Sequence, residues 1–139
     1  MHAIHPSRLL RFALFTDALV SGAVAFLQLL LPDLLSRLLL LPSPLLRYTG
    51  IFLVGYTVLL VLLARSGAIW TALLLVVAAG NVLWALGCAA LPLAGMAAPS
   101  GLGTAYLWVQ ALAVLAFAAM QLAGLRSSAP ARAAAHAHA

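Results

Sequence analysis

Four long apolar runs, at residues 9–31, 45–64, 68–91 and 102–125, dominate the sequence. As helices rising about 1.5 Å per residue, runs of about 20 residues each cross the roughly 30 Å hydrocarbon core of a bilayer. The runs are rich in Leu and Ala and show no alternation of period two, which argues against a transmembrane β-barrel. Only 6% of the 139 residues are charged and 66% are hydrophobic, too little polar surface for a soluble domain of this size. The expected fold is therefore all-α: a four-transmembrane-helix bundle over residues 1–126, followed by a disordered tail at 127–139.

The joints support this division. "ARSGA" at 64–68 is a tight turn, and "LPLAGMAAPSG" at 91–101 is an uncharged Pro/Gly loop. Between the first two runs, "LPDLLSRLLLLPSP" reads as a short helix lying in the membrane interface. Pro32 and Asp33 suit its start, Asp33 and Arg37 are spaced i,i+4, and Pro42 ends it. Ser43-Pro44 is expected to cap and open the second span. Arg8 and Arg11 followed by "AVA" at 23–25 imitate a cleavable signal, but the apolar run continues through "FLQLLL", so a retained helix is expected.

Charge placement sets the expected orientation. The seven basic residues are all arginine, and they lie at or beyond the ends of the apolar runs. Arg8, Arg11, Arg65, Arg126 and Arg132 fall on one side; Arg37 and Arg47 fall on the other. Both termini are thus expected to be cytoplasmic. Trp84, Trp108, Tyr48 and Tyr106 would then form an outer aromatic belt, with Trp70 on the inner side. Charges at span ends are not the clustered cations of a nucleic-acid-binding face.

Polar residues inside the spans are the candidates for function, because each is costly in hydrocarbon. Asp17 is one of only two acidic residues, and it lies within the first run. With Ser21 and Gln28 it forms one helical stripe, and Ala18 and Gly22 beside it permit close helix approach. Counting helix rise places Asp17 about 12 Å into the membrane, at a level with Tyr56 and Thr57, with Gln121 nearer the inner surface. The same count places Ser21, Asn81 and Gln110 in a second layer roughly 18–22 Å in, near Thr49. The candidate intramembrane polar site is therefore Asp17, Ser21, Tyr56, Thr57, Asn81, Gln110 and Gln121. Arg11 is on another face, so Asp17 is expected to be protonated by its burial and bonded to a backbone carbonyl, to bond Tyr56 or Thr57, or to meet a group supplied by another subunit. The outer layer reads most simply as interhelical hydrogen bonding.

Other chemistries find little support. A single cysteine, Cys88, precludes an internal disulfide or a C-x-x-C pair. His2, His5, His136 and His138 lie in the flanks, without metal-ligand spacing. No nucleophile–base pair, P-loop or dinucleotide fingerprint appears, so no catalytic residue, metal or cofactor is assigned.

The stretches "LFTDALVSGA", "AAGNVLWAL" and "GTAYLWVQALAVLAFAAMQLAGLR" resemble a group of small, functionally uncharacterised bacterial four-helix membrane proteins over most of residues 8–126. That resemblance implies the bacterial inner membrane and a four-helix fold, and brings no activity with it. The group's pattern would put an acidic residue near Ala119, where this chain reads "FAAMQ". Small multidrug exporters are similar in size and layout only. The function expected from the sequence is a non-enzymatic integral membrane protein: an accessory, assembly or stabilising subunit of a larger inner-membrane complex. Its expected partners are the lipid bilayer and other membrane subunits or a second copy of itself, with no nucleic acid. The alternative is a small proton-coupled transporter or amphiphile-binding protein using Asp17, and a third class is a membrane enzyme acting on a lipid or quinone.

Overall fold

In the computed structural model, which describes residues 2–131, the apolar runs become four long helices: α1 (Arg8–Leu30), α3 (Ser43–Arg65), α4 (Thr71–Leu93) and α5 (Gly101–Arg126). All four are long and apolar enough to cross a membrane. A short helix, α2 (Pro32–Leu39), links α1 to α3. The all-α bundle read from the sequence is what the chain forms.

Local chemistry sets the helix ends. Ser7 caps α1, its Oγ accepting from the Leu10 amide at 3.1 Å, and Ser100 caps α5 by accepting from Gly103 at 3.0 Å. Pro32 opens α2, where its missing N–H costs nothing. Leu40 then adopts a left-handed conformation that ends α2, and Ser36 Oγ donates to the Leu41 carbonyl at 2.6 Å across that corner. Ser43 begins α3 but does not cap it; its hydroxyl donates to Asp33 instead. Asp33 forms its ion pair with Arg47 at 3.3 Å, not with Arg37, whose guanidinium reaches only the Asp33 backbone carbonyl. The i,i+4 spacing brought Arg37 near, but the start of α3 folds back closer to the carboxylate.

Helix α1 lies at the centre. It packs against α3 on one side and α5 on the other, and α4 packs on α5. Close approach of α1 and α5 depends on Gly124, where a Cβ would stand 2.7 Å from the Leu10 Cα. At the opposite end, Gly103 lies so close to the Leu39 carbonyl that a side chain there would collide with backbone. Two apolar clusters fill the bundle. One joins Leu10, Leu14, Leu60, Leu63, Leu74 and Val77 near the chain termini; the other joins Leu39, Leu46, Ala85, Leu107 and Ala111 near α2.

Three very short strands, which the sequence did not announce, close the terminal end. These are β1 (Ala3–His5), β2 (Ile69–Trp70) and β3 (Ala129–Pro130), antiparallel in the order β2-β1-β3. Their pairing puts both ends of the described chain on the same side of the bundle as the α3–α4 turn. Part of the expected disordered tail is thus ordered: Ser128 Oγ donates to the Gly124 carbonyl at 2.7 Å, and the Ser7 amide donates to Ser128 Oγ at 3.0 Å. The remainder of that tail, with Arg132, His136 and His138, lies outside the described residues.

Candidate functional site

The polar site sits between the two apolar clusters. Asp17 on α1 is completely buried, as is Gln121 on α5. Four side chains surround the carboxyl group. Ser21 Oγ donates to Oδ1 at 3.0 Å from the next turn of α1. Tyr56 Oη on α3, Asn81 Nδ2 on α4 and Gln121 Nε2 on α5 donate to Oδ2 at 3.0, 3.0 and 2.8 Å. All four spanning helices therefore meet at one carboxyl group. The donors also touch each other: Asn81 Nδ2 lies 3.3 Å from Gln121 Oε1, and Tyr56 Oη lies 3.1 Å from Asn81 Oδ1.

Four side chains on the four long helices thus direct polar groups at the Asp17 carboxyl. No cation pairs with it, since the one ion pair among the described residues is Asp33–Arg47. Arg11 instead donates to the Ala64 carbonyl at 3.0 Å, closing the C-terminal end of α3. Its hydrogen-bond partners are therefore what stabilises it in the bundle.

Several expected placements change. Asn81 and Ser21 belong to the Asp17 cluster rather than to an outer layer, and Gln121 joins them. Helix rise fixes only Cα depth, whereas long side chains reach a turn or more along the axis. Thr57 is not a partner of Asp17: its hydroxyl is buried without a partner among the described residues, and its methyl group faces Gly22. Gln110 stands apart, accepting from the Trp84 indole at 3.1 Å. A cluster missed in the sequence joins Gln28, Thr49 and Tyr106. Gln28 Nε2 donates to Tyr106 Oη at 2.9 Å and Gln28 Oε1 accepts from Thr49 at 3.0 Å. The signal for it was present, because Gln28 continues the Asp17 stripe. Trp84 and Tyr106 are half-buried and line the cavity, whereas Tyr48 and Trp108 are exposed on the outside of the bundle.

Beside these clusters lies a cavity of about 600 Å³. It occupies the side where α3 and α4 fail to close. Those helices meet near their turn through Leu60, Leu63, Leu74 and Val77, but their backbones do not pack along the rest of their length. Side chains bridge the gap: Phe52 stacks on Trp84 with ring centres 5.9 Å apart, and Tyr56 Oη reaches Asn81 Oδ1 at 3.1 Å. Phe52 and Leu83, 60% and 68% exposed, form the lip. The walls are mainly aliphatic and aromatic, and none of the lining residues carries a charge. Ser21, Tyr56 and Asn81 present part of the floor, and they screen Asp17 from the cavity.

Comparison with protein-family models, curated proteins and solved structures finds no match. The geometry of the site must therefore carry the functional argument by itself.

Proposed function

We propose that this multi-pass membrane protein is a non-enzymatic binder of an apolar or amphiphilic molecule drawn from the bilayer, held between α3 and α4. One observation carries the reading: an uncharged cavity of about 600 Å³, apolar in its walls, stands where two neighbouring helices part. That volume is within the roughly 300–1,000 Å³ typical of pockets for single small ligands. A few polar groups in a mainly apolar wall are what fixes a ligand's orientation in such sites.

The same geometry weighs against the other readings. A carboxylate that couples transport to protons must exchange with water, and Asp17 is enclosed by its own donors. As for an accessory subunit, Asp17 finds its partners inside the chain, so it no longer argues for a group supplied from outside. That reading then rests on the small soluble portions and the apolar exterior, which lipid covers equally well.

The orientation we propose puts the strand-capped end on the cytoplasmic side of a bacterial inner membrane. Arg8, Arg11, Arg65 and Arg126 support it, as they flank that end, whereas the other end has Arg37 and Arg47, the latter paired with Asp33.

Native mass spectrometry after extraction in mild detergent tests the binding role. Gly87 lines the cavity and a Cβ there meets nothing within 4 Å, so Gly87→Phe is the substitution chosen to fill the space, with its fold checked by circular dichroism and unfolding midpoint. The wild-type protein should carry a retained small molecule that Gly87→Phe lacks. Identical spectra for the two proteins would refute the proposal.

A further inference from the structure

The polar groups on the cavity wall define what kind of molecule it accepts. Gln28 directs its amide at Tyr106 Oη at 2.9 Å, and Tyr106 is one of the residues that line the cavity. The tyrosine oxygen is thus supplied with a donor, while its own proton has no protein acceptor among the described residues. A hydroxyl without a protein acceptor, on a residue lining a mainly apolar cavity, favours a ligand that brings an acceptor. Charge selects as well. A charged headgroup inside this cavity would be desolvated with no counter-charge on any lining residue, a large cost.

We propose that the cavity takes an uncharged, lipid-soluble molecule bearing a carbonyl or ester oxygen, and that this oxygen accepts the Tyr106 hydroxyl proton. The inference rests on the binding role proposed above and adds the ligand's chemical class. The apolar body of the ligand lies along Phe52, Leu53, Trp84 and Val114, with its acceptor end toward Tyr106.

Trp84 lines the cavity and supplies the readout. Trp70 and Trp108 are largely exposed, so Trp70→Phe/Trp108→Phe leaves Trp84 as the single indole. In detergent micelles, three probes of matched chain length are titrated while Trp84 fluorescence is read. They are a brominated monoacylglycerol, a brominated alkyl sulfate and a brominated alkane. The monoacylglycerol should quench saturably and bind at least about tenfold more tightly than the sulfate, an unpaired buried anion being the costlier group. Tyr106→Phe, which keeps the ring, should weaken the monoacylglycerol about two- to tenfold and leave the alkane unchanged. Equal binding of the sulfate, or an unchanged monoacylglycerol affinity in Tyr106→Phe, would overturn the ligand class. If that failure came with saturable quenching abolished by Gly87→Phe, the cavity's binding role would survive it. Absence of saturable quenching by every probe would overturn both. The comparison of neutral and anionic probes needs no change at Tyr106, so it stands even if that variant folds poorly.

Discussion

Gln121 Nε2 donates to Asp17 Oδ2 at 2.8 Å, joining residues 104 positions apart, both with no exposed surface. The bond ties the last spanning helix to the first at mid-bundle. Asn81 and Tyr56 bring the other two helices to the same oxygen. A carboxylate in hydrocarbon is normally an expense, but this one gives four helices a single point of registry. Its partners Ser21, Tyr56 and Asn81 line part of a cavity that Asp17 itself does not enter.

Asp17→Asn should therefore destabilise the bundle. The substitution turns one acceptor oxygen into an NH₂ group facing hydrogen-bond donors. Leaving buried donors unpaired costs about 1–3 kcal/mol. Reversible unfolding in detergent or bicelles checks this, and stability equal to wild type would argue that the donors are not engaged.

The chain's other aspartate should behave differently. Asp33 and Arg47 are both more than half exposed, and exposed ion pairs contribute about 0–1 kcal/mol. Asp33→Asn should leave the unfolding midpoint nearly unchanged in the same assay. A loss as large as that of Asp17→Asn would show that the corner between α2 and α3 matters more than its exposure suggests.

Gly124→Ala should be harmful and Gly80→Ala harmless. At Gly124 the new methyl group meets the Leu10 backbone, which cannot rotate away, whereas at Gly80 it meets nothing within 4 Å. Overpacking of this kind costs about 1–3 kcal/mol, and a Gly-to-Ala change in an unobstructed helix gains up to about 1 kcal/mol. Comparing the two unfolding curves checks the α1–α5 contact.

The strand cap predicts a disulfide. His5 stands opposite Ala129 in the antiparallel pair β1–β3, and such pairs have Cα atoms about 4.5–5.5 Å apart, within the reach of a disulfide. In a Cys88→Ala background, His5→Cys/Ala129→Cys should oxidise to an intramolecular bond. Thiol labelling and intact mass check it; two thiols that stay free under mild oxidation would place the termini apart.

The sequence showed the spans well because hydrophobic length alone determines them. It showed that Asp17 was unusual and offered Tyr56 and Thr57 as equal candidates for its partner, of which Tyr56 bonds it. It could not rank Asn81 and Gln121 as partners, since helix tilt and side-chain reach, not Cα depth, decide which amides meet. Thr57 sits next to Tyr56 in sequence but about 100° around the helix, enough to face Gly22 instead of the carboxylate. The strands escaped because two or three residues carry no periodicity, and because the Pro130 pairing forms only once three distant segments have been gathered. The cavity escaped for a related reason: it is where two helices fail to pack, and no residue pattern records a missing contact.

A double-mutant cycle between Asp17→Asn and Gln121→Leu tests the account most directly. If one carboxylate registers the helices, the two changes remove the same bond, and their effects on unfolding free energy should be coupled. The expected coupling is at least about 0.6 kcal/mol, the average for interhelical hydrogen bonds in membranes. Effects that add to within about 0.3 kcal/mol would contradict the claim that Asp17 joins the first helix to the last.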